Sequence, residues 1–224
     1  MCGRYALSSP VQALEVQFEA EAQVLLAPRY NIAPTTPVPV VRNGGAGRIL
    51  VLHRWGLVPA WSREPGAGAP MANARSETVA EKPAFRGPFR RNRCLIPADG
   101  FYEWRAVPGG KQPFFIRAAE GVLAFAGLWD RWEGPEGTLD SCTILTTAAQ
   151  GPMARIHDRM PVILAREAYA QWLDPATPPD VLKGLLRPCP EAWLRMHPVD
   201  RRVGSVRNDD PGLVEPLPGE PFDA

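Results

Sequence analysis

Prolines fall so densely along this chain, 26 among 224 residues with 20 glycines interspersed, that no long helix can run through it. Proline lacks the amide that a helix interior needs, and glycine opens turns, so the fold has to be assembled from short elements. Their positions show no period, which excludes a collagen-like repeat. A hydrophobic content of 45% belongs to a globular chain, not a disordered one. No apolar run approaches the roughly 20 residues that a membrane span needs.

Between these breaks lie short runs rich in Val, Ile, Leu and aromatics. They read as strands: VPVV (38–41), RILVLHRW (48–55), RCLIPA (93–98), FFIR (114–117), VLAFAGLW (122–129), CTILTT (142–147) and PVIL (161–164). Pro10 opens a helix with Val11, Leu14 and Phe18 on one face, and two later helices read over 166–173 and 179–186. The order is not an alternation of strand and helix, and no linker divides the chain. The expectation is therefore an α+β fold: a single compact, mainly β domain over 1–224, with a barrel-like mixed sheet core and a few short helices. The stretch from Asp209 to the end is rich in Pro, Gly, Asp and Glu and is expected to fray.

The four cysteines (Cys2, Cys94, Cys142, Cys189) are scattered and form no CxxC, and His53, His157 and His197 do not cluster with them. With no basic-then-apolar leader at the N-terminus, the thiols read as reduced, the location as cytoplasmic, and no metal or cofactor is expected. A formal net charge of +1 hides an asymmetry: net +5 over residues 1–110 and −4 over 111–224. Nearly all the positive charge is arginine, densest in the Arg86–Arg93 run with Arg90 and Arg91 at its centre. Trp55 and Trp61 lie nearby in RWGLVPAW (54–61), so basic and aromatic side chains interleave, as a single-strand nucleic-acid binder needs. A solvated basic face gives the same composition.

Position 2 carries the sharpest chemistry. Once the initiator Met is removed, Cys2 presents an α-amine and a thiol on adjacent carbons; such groups ordinarily titrate at roughly pH 7.7–8.0 and 8.5. A 1,2-aminothiol reacts with an aldehyde through an imine that the sulfur closes into a thiazolidine. Further polar segments are NARSET (73–78), with Asn73 and Arg75; PADGFYEW (97–104), with Glu103 between two aromatics; and HDRMP (157–161), with His157. Singly, each has a plain structural reading: a turn asparagine, an arginine paired with Glu77 or Glu81, a strand-face carboxylate, a loop histidine.

Together these segments, with MCGRY (1–5), RYNIAPT (29–35), FRRNRCLIPADGFYEW (89–104), FAGLWD (125–130), TTAA (146–149), HDRMPVIL (157–164) and VRNDDPGLVEP (206–216), resemble the SOS-response-associated peptidase family of abasic-site processing proteins. The resemblance implies a mainly β α+β domain that links covalently to abasic sites in single-stranded DNA. It implies Cys2 as nucleophile and Asn73 as the residue positioning the reactive centre. It also implies Glu103 in proton transfer at the amine and His157 in opening the sugar ring. Arg75 would hold phosphate; Arg4, Trp55, Trp61, Arg86, Arg90 and Arg91 would contribute to the strand groove of a monomer. Thr36 stands where the family often has Gln, and the 62–70 stretch has no clear counterpart. Two other functions remain open on the residues: a cysteine peptidase using Cys2 and His157, and a non-covalent single-strand binding module.

Overall fold

The structure, a computed structural model, describes residues 2–63, 68–135 and 137–218. In chain order the elements are β1 (Tyr5–Leu7), α1 (Val11–Phe18), β2 (Ala20–Ala22), β3 (Arg29–Ile32), β4 (Pro37–Asn43), β5 (Arg48–Trp55), β6 (Asn73–Arg75), α2 (Pro83–Arg91), β7 (Arg93–Ala98), β8 (Gly100–Val107), β9 (Gly110–Ala118), β10 (Leu123–Gly134), β11 (Gly137–Ala148), β12 (Arg159–Pro161), α3 (Tyr169–Leu173), α4 (Pro179–Leu185) and β13 (Leu194–Pro198). The domain is mainly β, with short helices, as the density of breakers requires.

Five strands close into a barrel. β5 pairs with β4, β4 with β7, β7 with β10, and β10 with β11, all antiparallel; β11 then meets β5 in parallel. An odd number of strands cannot alternate direction all the way round a ring, so one seam has to be parallel. That seam is short: Ser141 and Cys142 face Arg54 and Trp55. Beyond it the chain leaves β5 and returns as β6, which continues the parallel pairing along β11 from Ile144↔Asn73 to Thr146↔Arg75. Val38, Val40, Leu50, Leu95, Ile96, Phe125, Leu128 and Ile144, from both faces of these strands, belong to the main hydrophobic core.

A second sheet, in the order β13-β9-β8-β1-β3, packs beside the barrel. Its β8–β9 hairpin turns on Pro108-Gly109, with Gly109 at φ 80, the value that the second central position of a type II turn requires. Gly100 is needed for another reason: a Cβ there would lie 2.6 Å from the Ile116 carbonyl oxygen. After β13 the chain recrosses this sheet's outer face. Val199, Val203 and Leu213 are buried there against Ala6, Tyr102 and Phe115. Residues 209–218 are therefore packed rather than frayed: Asp209 accepts the Tyr30 and Asn31 amides, and the Leu217 amide donates to the Pro198 carbonyl. Residues 219–224, the rest of that predicted tail, lie outside the described residues, as do 64–67 of the 62–70 stretch.

Of PVIL only Pro161 is in a strand. Residues 162–164 weave between neighbours instead, Val162 donating to Leu145 and Leu164 to Ala124. Among the described residues, no helix is long and apolar enough to cross a membrane, and all four cysteines are unbridged.

His53, on β5, is 2% exposed and lies edge-on to Trp129 at 5.4 Å. Burial pushes its pKa down to about 4; Asp140 opposes the shift, while Arg42 and Arg131 add to it. Between pH 4 and the unfolded value near 6.5 the unfolded chain holds a proton that the folded chain refuses. Stability from this group is complete above about 6.5 and lost as pH falls toward 4, an effect on the order of 3 kcal/mol. Urea unfolding at pH 7 and pH 4 should show His53→Gln losing less stability on acidification than the parent; equal losses would exclude a buried neutral imidazole.

Candidate active site

The residues singled out around position 2 come from both sheets. Cys2 precedes β1, whose register with β8 pairs Tyr5 with Phe101 and Ala6 with Gly100. The Tyr102 amide donates to the Arg4 carbonyl, and continuing that ladder brings Gly3 opposite Glu103. Asn73 and Arg75 come from β6 on the barrel, and His157 from the turn before β12, which pairs with the same end of β11. The site therefore lies in the cleft between the sheets, on the barrel side next to the parallel seam.

Asn73 Nδ2 donates to the Cys2 carbonyl oxygen at 2.8 Å, tying the N-terminal segment to the barrel. Asn73 Oδ1 is buried and has no hydrogen-bond partner among the described residues. It is an acceptor available to an N–H arriving beside Cys2. The Cys2 side chain is wholly buried, with Sγ 4.0 Å from the Arg4 carbonyl oxygen. Burial, and then the Glu103 charge, push the thiol far above its ordinary range, so it is held protonated.

Glu103 is 3% exposed. Burial raises its carboxyl above the usual range. His157 Nε2 lies 3.8 Å from Glu103 Oε2. On the other side of the ring, Nδ1 lies 2.9 Å from the Arg159 amide nitrogen, which can donate to it. Asp158 Oδ1 lies 2.8 Å from the same Nδ1, so this nitrogen has an acceptor and a donor within reach. The pair stands one bridging water, or a small side-chain shift, from passing a proton between them.

Two residues of this site are not evident from the sequence. Arg159 makes a bidentate pair with Glu77, Nη1 to Oε1 and Nη2 to Oε2, and Nη2 also donates to the Thr146 carbonyl at 2.7 Å. The clamp fixes the segment carrying His157 to the one carrying Arg75. It also takes Glu77 away from Arg75, which is exposed and has no ion-pair partner among the described residues. A signal is present, since Arg159 stands two residues after His157 and Glu77 two after Arg75, but their pairing across 82 residues is invisible in one dimension.

The proposed strand-groove residues do not form one set. Trp55 is wholly buried: its ring packs edge-on to Tyr5 at 5.3 Å, and Nε1 donates to the Ala72 carbonyl at 2.9 Å. It cannot stack on a base. It anchors the residue before Asn73 instead, a correction to the groove reading. Arg4 is also engaged, donating to Asn31 and to the carbonyls of Val203 and Gly204. Trp61, by contrast, is 66% exposed and lines a hollow of about 570 Å³ with Arg86, Arg91 and Asp130. Arg90, also on α2, is exposed. Asp130 pairs with Ser141, three to five residues along β11 from the positions that hold Asn73 and Arg75. That separation is about 10–17 Å. Among the described residues no group of three His, Cys, Asp or Glu side chains converges as a metal site.

Against known proteins, the profile of the family described as SOS response associated peptidase (SRAP) matches residues 1–206. The chain is 42% identical over 223 residues to abasic site processing protein YoqW of Bacillus subtilis, covering 96% of this chain and 99% of that one. It is 36% identical over 226 residues to abasic site processing protein HMCES of Gallus gallus, covering 85% of this chain and 66% of that one. Among solved structures, a protein from Bacteroides thetaiotaomicron superposes with a TM-score of 0.88 at 25% identity, covering 96% of this chain and all of that one.

Proposed function

Because the chain belongs to the SOS response associated peptidase family, we propose that it processes abasic sites in DNA by capturing the aldehyde of the opened sugar, in single-stranded DNA, through the aminothiol of Cys2. The observation that carries this reading is the convergence of Cys2, Asn73, Glu103 and His157 on one cleft. The names of the relatives, abasic site processing proteins, support the substrate class.

The first step is hydrolysis of the Met1–Cys2 peptide bond, which frees the α-amine. The amine attacks the aldehyde carbon, and the carbinolamine loses one water to give an imine. Sulfur then adds to the imine carbon, its proton passing to nitrogen, and a five-membered thiazolidine closes. Burial of the thiol favours this order, because a protonated thiol waits until the iminium forms. The same burial weighs against a cysteine peptidase, which needs a thiolate at the start. Glu103, its carboxyl raised by burial, is suited to take the amine's proton and return it to the departing hydroxyl. His157, its Nδ1 held between the Arg159 amide and Asp158 and its Nε2 turned to Glu103, serves the ring oxygen as the sugar opens. Exposed Arg75 is left to hold a phosphate beside the reacting sugar, and the Trp61–Arg86–Arg91 hollow to hold the strand further along.

Incubation with abasic single-stranded DNA should give an adduct that survives heating, formed by protein whose intact mass lacks Met1. Peptide turnover without DNA would favour the peptidase, and salt-sensitive binding with no covalent product would favour a binding module.

A further inference from the structure

We propose that residues 199–217 form a strap that sets the position of Cys2 through Arg4, so that Arg4 is a positioning residue and not a phosphate contact; this rests on the reading of Cys2 as the nucleophile. β1 is three residues long, and Cys2 stands outside it. A terminal segment paired over so short a stretch frays unless something else ties it down. Arg4 supplies that tie. Its backbone carbonyl accepts the Tyr102 amide at 2.9 Å, one residue from Glu103. Its guanidinium Nη1 donates to Asn31 Oδ1 and to the Val203 carbonyl, each at 2.9 Å, and Nη2 donates to the Gly204 carbonyl at 3.3 Å. One residue thus fixes the Cys2 segment to the strand that carries Glu103 and to the returning C-terminal segment.

The far side of the contact is itself built. Asn31 is 2% exposed, and its Nδ2 faces the carbonyls of Val203, Ser205 and Asn208 at 2.8–3.2 Å. Asp209 takes the amides of Tyr30 and Asn31 and lies 3.8 Å from Arg29. The Tyr102 hydroxyl donates to the Tyr30 carbonyl at 2.6 Å. Buried Val199, Val203 and Leu213 hold the strap to the sheet. Three of the five N–H donors of the Arg4 fork are spent on these oxygens, so swinging the guanidinium out to a DNA phosphate would break the tie to the strap. A planar guanidinium suits this geometry and an ammonium does not, because a single point donor cannot span the Asn31, Val203 and Gly204 oxygens together.

The test compares Arg4→Lys and Asp209→Ala with the parent, all in the Met1-free full-length protein. Three readouts are needed: single-turnover adduct formation on abasic single-stranded DNA, the salt dependence of binding to intact single-stranded DNA, and alkylation of Cys2 by iodoacetamide. The strap predicts that both variants slow the adduct by about 10- to 100-fold, the scale of a displacement near 1 Å. Both should speed alkylation of the buried thiol, with DNA affinity and salt slope unchanged, which also shows that they are folded. Arg75→Ala is the contrast, lowering the log–log slope by about 0.7 for the phosphate it loses. An Arg4→Lys protein with parental adduct and alkylation rates overturns the proposal. So does an Arg4→Ala protein whose slope falls as that of Arg75→Ala does. If the parent forms no adduct at all, the functional reading fails, and the alkylation rates still decide the strap.

Discussion

Cys2→Ala is expected to abolish the heat-stable adduct and still leave a product that borohydride can trap. The amine of residue 2 survives the substitution, so an imine with the abasic aldehyde can form and be reduced in place. What is lost is the sulfur that closes the ring, and with it the step that pulls a reversible imine into a product stable to heating. The buried position sharpens the expectation. The thiol is wholly enclosed, and its pKa is raised by burial, so it contributes little as a free nucleophile and much as an internal trap once the iminium sits beside it. Gel separation after heating, with and without borohydride, reads both products. A full yield of heat-stable adduct from Cys2→Ala would rule out the thiazolidine.

A comparable loss of rate, through a separable cause, is expected at Glu103 and His157. General acid–base assistance is worth about 10²–10⁴ in rate. Glu103→Gln and His157→Ala should each slow adduct formation within that range while binding DNA as the parent does. They should part company on a strand carrying a simple pre-opened aldehyde. There is no ring oxygen to protonate there, so His157→Ala should recover much more than Glu103→Gln. The pH dependence should differ too. Burial raises the Glu103 carboxyl, so its basic form disappears on acidification at a higher pH than an ordinary carboxylate would lose it. The parent's imine-forming rate should fall through that limb as pH drops, and Glu103→Gln should lack it. Equal rescue of both variants by the pre-opened substrate would show the two roles to be wrongly divided.

Where apolar runs are continuous and bounded by breakers, the strands can be read to the residue: β5 is 48–55 and β7 is 93–98, as expected from RILVLHRW and RCLIPA. β10 and β11 are legible only along their apolar stretches, because they run on into a hairpin that carries the charged Asp130, Arg131 and Asp140. α2 is not legible at all. Pro83, Gly87 and Pro88 in nine residues read as loop, yet Pro83 occupies the first turn, where no amide is needed, and burial of Phe89 beside Trp172 overrides local propensity. The site has the same character. Its polar residues can be named from resemblance, but an aromatic among arginines looks alike whether it faces solvent or core. That is why Trp55 reads as a base platform although it braces Ala72. The Glu77–Arg159 clamp and the Asn31–Arg4 contact join residues that only the folded chain brings together.

The parallel seam has a kinetic consequence. Every antiparallel pair of the barrel except β10–β11 can form before β11 exists, but the seam and its extension join residues 54–75 to 141–146, across a long stretch of chain. Contacts of such sequence separation demand loop closure before they return any energy, and they form late. The platform that carries Asn73 against β11 is one of these late contacts, and so is the clamp between Glu77 and Arg159. A partly folded chain would thus carry Cys2 without the Asn73 contact that the closed barrel brings to it. Under the proposed function, aldehyde capture belongs to the closed barrel alone, and the rate at which a refolding chain acquires it should follow ring closure, not the earlier appearance of β structure.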